Sequence, residues 1–126
     1  MRLTPQPGTL MNVIDRDAVQ AELSRRVGQH LYLHLETGTG AYATLNDKKV
    51  PTVAAFIRNV QVCYERGTVT GAGPYRAGLK LPSGWVYAEG LTDWFLDEHD
   101  RLLLAGHDDA GALLVALQLS PTPFPT

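Results

Sequence analysis

His34 and Glu36 stand two residues apart in a run that alternates apolar and polar residues, so on a strand their side chains share one face. An imidazole beside a carboxylate can serve as a general base with its orienting group, or as two ligands of a metal ion. The plainer reading is a half-buried strand that turns its polar residues, His30, Tyr32, His34 and Glu36, toward solvent. Trp85, Tyr87 and Glu89 alternate in the same way. Aromatics with one carboxylate can line a small-molecule pocket, form a subunit contact, or pack into a core. Arg58 and Arg76 can bind an anion or pair with Glu36 and Glu89, the pairing being the safer expectation because buried arginines need partners. Tyr75 precedes Arg76 at the end of a glycine-rich stretch. His107 opens a hairpin and could complete a metal set with His34 and Glu36. Yet no tight ligand motif is present, so neither a metal nor a cofactor is expected. The candidate pocket is therefore His34, Glu36, Arg58, Tyr75, Arg76, Tyr87, Glu89 and His107. Gly71–Pro74 is not a phosphate loop, since it lacks the Lys-Ser/Thr ending and a following helix. Cys63 reads as a small buried hydrophobe.

These residues need elements to hold them. Residues 1–11 contain Pro5, Pro7 and Gly8 without periodicity and read as a flexible leader, with Met11 an alternative start. Asp15 can cap a helix in which Ala18, Val19, Leu23 and Val27 form an apolar stripe. Arg25 and Arg26 suit its last turn, and Gly28 suits its end. The period then changes to two. Leu31, Leu33 and Leu35 predict a strand, 37–40 a turn, 41–45 a short return strand and 46–49 a second turn. The run from 52 to 65 slips phase near Arg58 and Asn59, which predicts a bulge. Arg66-Gly67 is expected to turn the chain. Strands are expected at 85–89, 92–96, 102–106 and 112–119, with a charged turn at 97–101 and a hairpin at 108–111. In the last strand Leu113, Val115, Leu117 and Leu119 face one way. Residues 121–126 form a proline-rich tail that cannot join a ladder but can be anchored by Phe124.

The fold class is therefore mainly β: an antiparallel β-meander forming a sandwich or partly open barrel, with one N-terminal helix, in a single domain over 12–120. At 126 residues, 44% hydrophobic and 19% charged, the chain can bury a core without disulfides. A net charge of −2 gives no reason to expect nucleic acid, and no apolar run is long enough to predict a membrane span. One cysteine and no secretory pattern imply a reducing, cytoplasmic setting.

Several strings occur together: LHLET at 33–37, GAYA at 40–43, AFIRN at 55–59, GPYRAGLK at 73–80, GWVYAEGLTD at 84–93, RLLLAGH at 101–107 and VALQ at 115–118. Together they resemble the YojF family of small bacterial proteins, over nearly everything from Asn12 to Phe124. The resemblance implies a compact, mainly-β homodimer of unestablished activity. It also implies a possible partner, because some members are encoded beside an LmbE-type deacetylase linked to bacillithiol synthesis. The expected function is a non-enzymatic accessory or binding protein of low-molecular-weight thiol metabolism. The alternative is a small-molecule-binding domain or small enzyme using the His/Glu/Arg set. A third reading is an interaction module whose contact surface is the Trp85/Tyr87 face.

Overall fold

The computed structural model describes residues 11–38 and 54–126. Strand β1 (Asn12–Val13) leads into helix α1 (Arg16–Arg25). Asp15 has extended backbone angles and its carboxylate accepts the Ala18 N–H at 3.2 Å, as an N-cap should. Val19 and Leu23 are buried. Val27, expected on the same stripe, lies beyond the last helical turn and is exposed. Gly28 takes φ +78° and donates its N–H to Tyr64 O at 3.0 Å, which ties the end of the helix to the later chain.

Among the described residues eight further strands follow: β2 (Leu31–Gly38), β3 (Ala54–Val62), β4 (Arg66–Gly71), β5 (Tyr75–Leu81), β6 (Gly84–Leu91), β7 (Asp93–Leu96), β8 (Leu102–His107) and β9 (Leu113–Ser120). They form a six-stranded sheet in the order β1-β7-β8-β9-β2-β3 and a three-stranded sheet β4-β5-β6, antiparallel throughout. The two sheets face each other without closing into a barrel. Alternation gives each an inner row: Leu31, Leu33, Leu102, Leu104, Val115, Leu117 and Leu119 from the large sheet meet Val69, Ala77, Leu79, Ala88 and Leu91 from the small one. Val19 and Leu23 of α1 join the same core, and Tyr64 donates its hydroxyl to Leu23 O at 2.5 Å. Burial pushes the Tyr64 hydroxyl up to about 12, so it remains a donor. Among the described residues no helix is long and apolar enough to cross a membrane.

Some local expectations shift. Arg66 and Gly67 open β4, paired with Lys80 and Leu79, and the chain turns at 63–65 instead. Buried Tyr64 anchors that corner, which a turn reading of Arg-Gly cannot anticipate. Thr37 and Gly38 finish β2 rather than turning, while the expected features from 39 to 49 lie outside the described residues. The glycine-rich stretch resolves into β4, β5 and β6, and Gly71–Pro74 is the β4–β5 hairpin connection. The bulge is where the phase slip put it. Leu33 pairs with Val60 but His34 with Arg58, so Asn59 is the extra residue, at φ 60°. Asparagine is among the few side chains that tolerate this conformation.

Gly106 of β8 lies against the backbone at the β6–β7 corner. A Cβ there would stand 2.1 Å from Gly90 O and 2.7 Å from a Val115 methyl. Gly106→Ala is expected to destabilise the fold by about 1–3 kcal/mol or more, as overpacking against backbone does. A lower urea midpoint with unchanged slope would show it; an unchanged midpoint would count against this corner packing.

Candidate functional site

The outer face of the large sheet carries the first group of candidate residues. His34 is fully buried, a correction to the solvent-facing reading. Its strand is not half exposed, because β2 lies between β9 and β3 and Phe124 of the C-terminal tail packs against the His34 ring. The His34 ring meets Phe56 edge-on at 5.0 Å and Phe124 at 6.1 Å between centroids. Its polar edges are used. Arg58 faces Nδ1 at 3.3 Å, and because a guanidinium only donates, Nδ1 must accept. Nε2 therefore carries the proton and donates to Glu36 at 3.3 Å. Burial is the main cause that holds the ring's pKa below its usual 6.5; Arg58 adds to the lowering and Glu36 opposes it. His34 is thus a neutral link between a cation and an anion.

The tail is fastened by the bulge. The Asn59 side chain donates Nδ2 to Phe124 O at 2.9 Å and accepts the Phe124 N–H at 2.7 Å, pairing as a peptide unit would. Arg58 donates Nε to Pro125 O at 3.0 Å. Phe124 is buried, with the Arg58 and Arg101 guanidinium groups 5.3 and 5.2 Å from its ring centre. The anchoring expected of Phe124 is therefore present.

A second group lies on the outward face of the small sheet. Trp85 and Tyr87 stack with ring centres 5.3 Å apart and planes 5° from parallel. Arg76 lies over Tyr87 at 3.9 Å and reaches Glu89 at 3.5 Å, while Arg66 lies over Trp85 at 5.5 Å. The result is a ladder of arginine, tryptophan, tyrosine and arginine, with Trp85 and Tyr87 40% and 44% exposed. Tyr75, one residue before Arg76, packs against the core instead.

His107 belongs to neither group. Its Nδ1 lies 2.6 Å from Asp93 Oδ2, and the Thr92 hydroxyl donates to that same oxygen at 2.8 Å. Asp93 and Thr92 were not among the candidates read from sequence. The usable signal was the turn at 97–101, since counting back from it pairs Asp93 with Ala105, diagonal to His107. His34 and His107 lie two strands and four rows apart on one sheet, roughly 16 Å by strand geometry. The structure brings together His34, Glu36 and Arg58, and separately Arg76, Tyr87 and Glu89. It does not join the two sets.

Comparison with known proteins places residues 13–124 within a family model described as a protein of unknown function, DUF1806. The chain is 48% identical over 114 residues to the uncharacterized protein YojF of Bacillus subtilis (strain 168), covering 90% of this chain and 98% of that one. It also matches the crystal structure of Bacillus subtilis YojF protein with a TM-score of 0.79 and 44% identity, over 94% of this chain and 100% of that chain.

Two outcomes follow from the His34 cluster. Its lowered pKa means that the unfolded chain binds the proton more readily. The stability His34 contributes is complete above about pH 6.5 and is lost as the pH falls from there through the folded value. His34→Gln, which can still accept from Arg58 and donate to Glu36, should flatten this acid decline in urea titrations; an equal decline in both proteins would remove His34 as its source. Asn59→Ala deletes both bonds to Phe124 and should cost roughly 1–3 kcal/mol. It should also make the C-terminus accessible to carboxypeptidase, and continued resistance would show that the tail is held elsewhere.

Proposed function

The chain belongs to the DUF1806 family, and from that premise we propose that it is an accessory binding protein, homodimeric and cytoplasmic, that assists an LmbE-type deacetylase of bacillithiol metabolism. The observation that carries the reading is the exposed Arg66–Trp85–Tyr87–Arg76 ladder. Tryptophan, tyrosine and arginine are the residue types that concentrate binding energy in protein interfaces. Here they are already ordered against one another, so little side-chain freedom remains to be lost on association.

The chemistry also suits a protein partner. Stacked rings supply apolar area, and Arg66 and Arg76 supply donors for carboxylates at its edges. The division of the candidate residues between two sheets favours this reading over a single pocket built from all of them. The link to the deacetylase rests on the gene neighbourhood implied by the family resemblance.

The direct test is co-purification of the tagged chain with the deacetylase of the same organism. Retention should fall at least tenfold in Trp85→Glu, whose thermal unfolding should stay close to the parent because the site is exposed. A deletion strain should hold less bacillithiol. No association, together with unchanged thiol levels in the deletion strain, would overturn the proposal.

A further inference from the structure

The Asp93–His107 pair has more local structure devoted to it than a surface ion pair needs. Opposite the step from Gly106 to His107, β9 carries one extra residue, Leu114, because Gly106 pairs with Val115 but His107 with Leu113. Such an irregularity re-aims the side chain beside it. Gly106 itself sits against Gly90 O, fixing β8 to the corner from which Thr92 and Asp93 emerge. Thr92 then bonds to both partners. Its hydroxyl donates to Asp93 Oδ2 at 2.8 Å and accepts the His107 N–H at 3.1 Å.

These bonds choose the tautomer. Asp93 Oδ2, as a carboxylate oxygen, only accepts, so His107 Nδ1 must carry the proton across the 2.6 Å contact. The Nε2 lone pair is left facing away from Asp93 on a side chain 27% exposed. This differs from His34, whose ring is buried and has both nitrogens engaged. A carboxylate that holds Nδ1–H, with Nε2 turned outward, is the arrangement by which a histidine accepts protons from a reacting group.

We propose that His107 is a general base, with Asp93 as its positioning residue, toward a water that attacks a small activated acyl ester. In this step the water oxygen bonds to the acyl carbon while its proton passes to His107 Nε2. The ester C–O bond breaks, the leaving group departs with its electron pair, and the imidazolium returns its proton to solvent. Asp93 stabilises the imidazolium and keeps the ring in one orientation.

The probe is 4-nitrophenyl acetate, hydrolysed by the full chain and followed by release of nitrophenolate. His107→Gln should lose at least tenfold of the protein-dependent rate. Asp93→Asn should lose a similar amount although His107 is retained, because an asparagine can donate to Nδ1 and permit the wrong tautomer. His30→Gln and His99→Gln should leave the rate unchanged, since exposed imidazoles elsewhere would otherwise explain it. Nitrogen-15 NMR of the unmutated protein reads the tautomer without any variant, and should find the neutral His107 ring protonated on Nδ1. An Nε2–H tautomer would overturn the proposal. So would the absence of protein-dependent hydrolysis, or full activity in either His107→Gln or Asp93→Asn.

Discussion

Burial of one layer of aliphatic side chains between two sheets of unequal width decides where the polar chemistry of this protein can sit. Leu31, Leu33, Leu117 and Leu119 point inward from the large sheet, and Val69, Ala77 and Leu79 point inward from the small one. Because side chains alternate along a strand, each buried row forces the intervening residues onto an outer face. His34 and Glu36 are on the outer face of the large sheet because Leu33 and Leu35 are not. Tyr87 and Glu89 are on the outer face of the small sheet because Val86 and Ala88 are not. Two sheets create two outer faces on opposite sides of the core, so residues close in sequence pattern need not meet in space.

The two outer faces are finished differently. On the large sheet the chain covers its own polar row, since the tail returns across β2 and is fixed at Asn59 and Arg58. Burying a histidine in this way is costly unless each nitrogen finds a partner. Arg58 and Glu36 supply those partners, and the ring stays neutral between them. The same rule governs Arg26, almost completely buried beside α1, where Glu22 at 2.7 Å and Asp100 at 2.9 Å accept its charge and tie the helix to the β7–β8 turn. On the small sheet nothing comparable covers Trp85 and Tyr87 among the described residues. Arginines lie against the rings instead and shield only part of them.

How much of this was legible follows from the range of each signal. Local chemistry was readable: the Asp15 cap, the leucine alternation of β2, and the Asn59 bulge announced by a phase slip within a single segment. Facing across strands was partly readable, for Trp85 and Tyr87 share a face by spacing alone, although their stacking does not follow from it. The burial of His34 was not readable. It depends on a tail some ninety residues later returning to cover a strand whose own pattern looks half exposed. The Asp93–His107 contact falls between these cases, because it needs the register of one hairpin, and that register is set by the turn at Asp97–Arg101.

The contrast between His34 and His107 shows why residue type alone could not assign chemistry here. Both are histidines on the same face of the same sheet, each within hydrogen-bond distance of a carboxylate. At His34 the carboxylate and the guanidinium take opposite edges of a buried ring, so neither nitrogen is left to react, and the group acts as a neutral connector beneath the tail. At His107 the side-chain bond found among the described residues engages Nδ1, and the ring stands at the end of β8 with solvent within reach. What separates a structural imidazole from a reactive one is which nitrogen is engaged and what covers the other. That is set by strand register and by the path of the tail, two properties of the whole chain that no short motif carries.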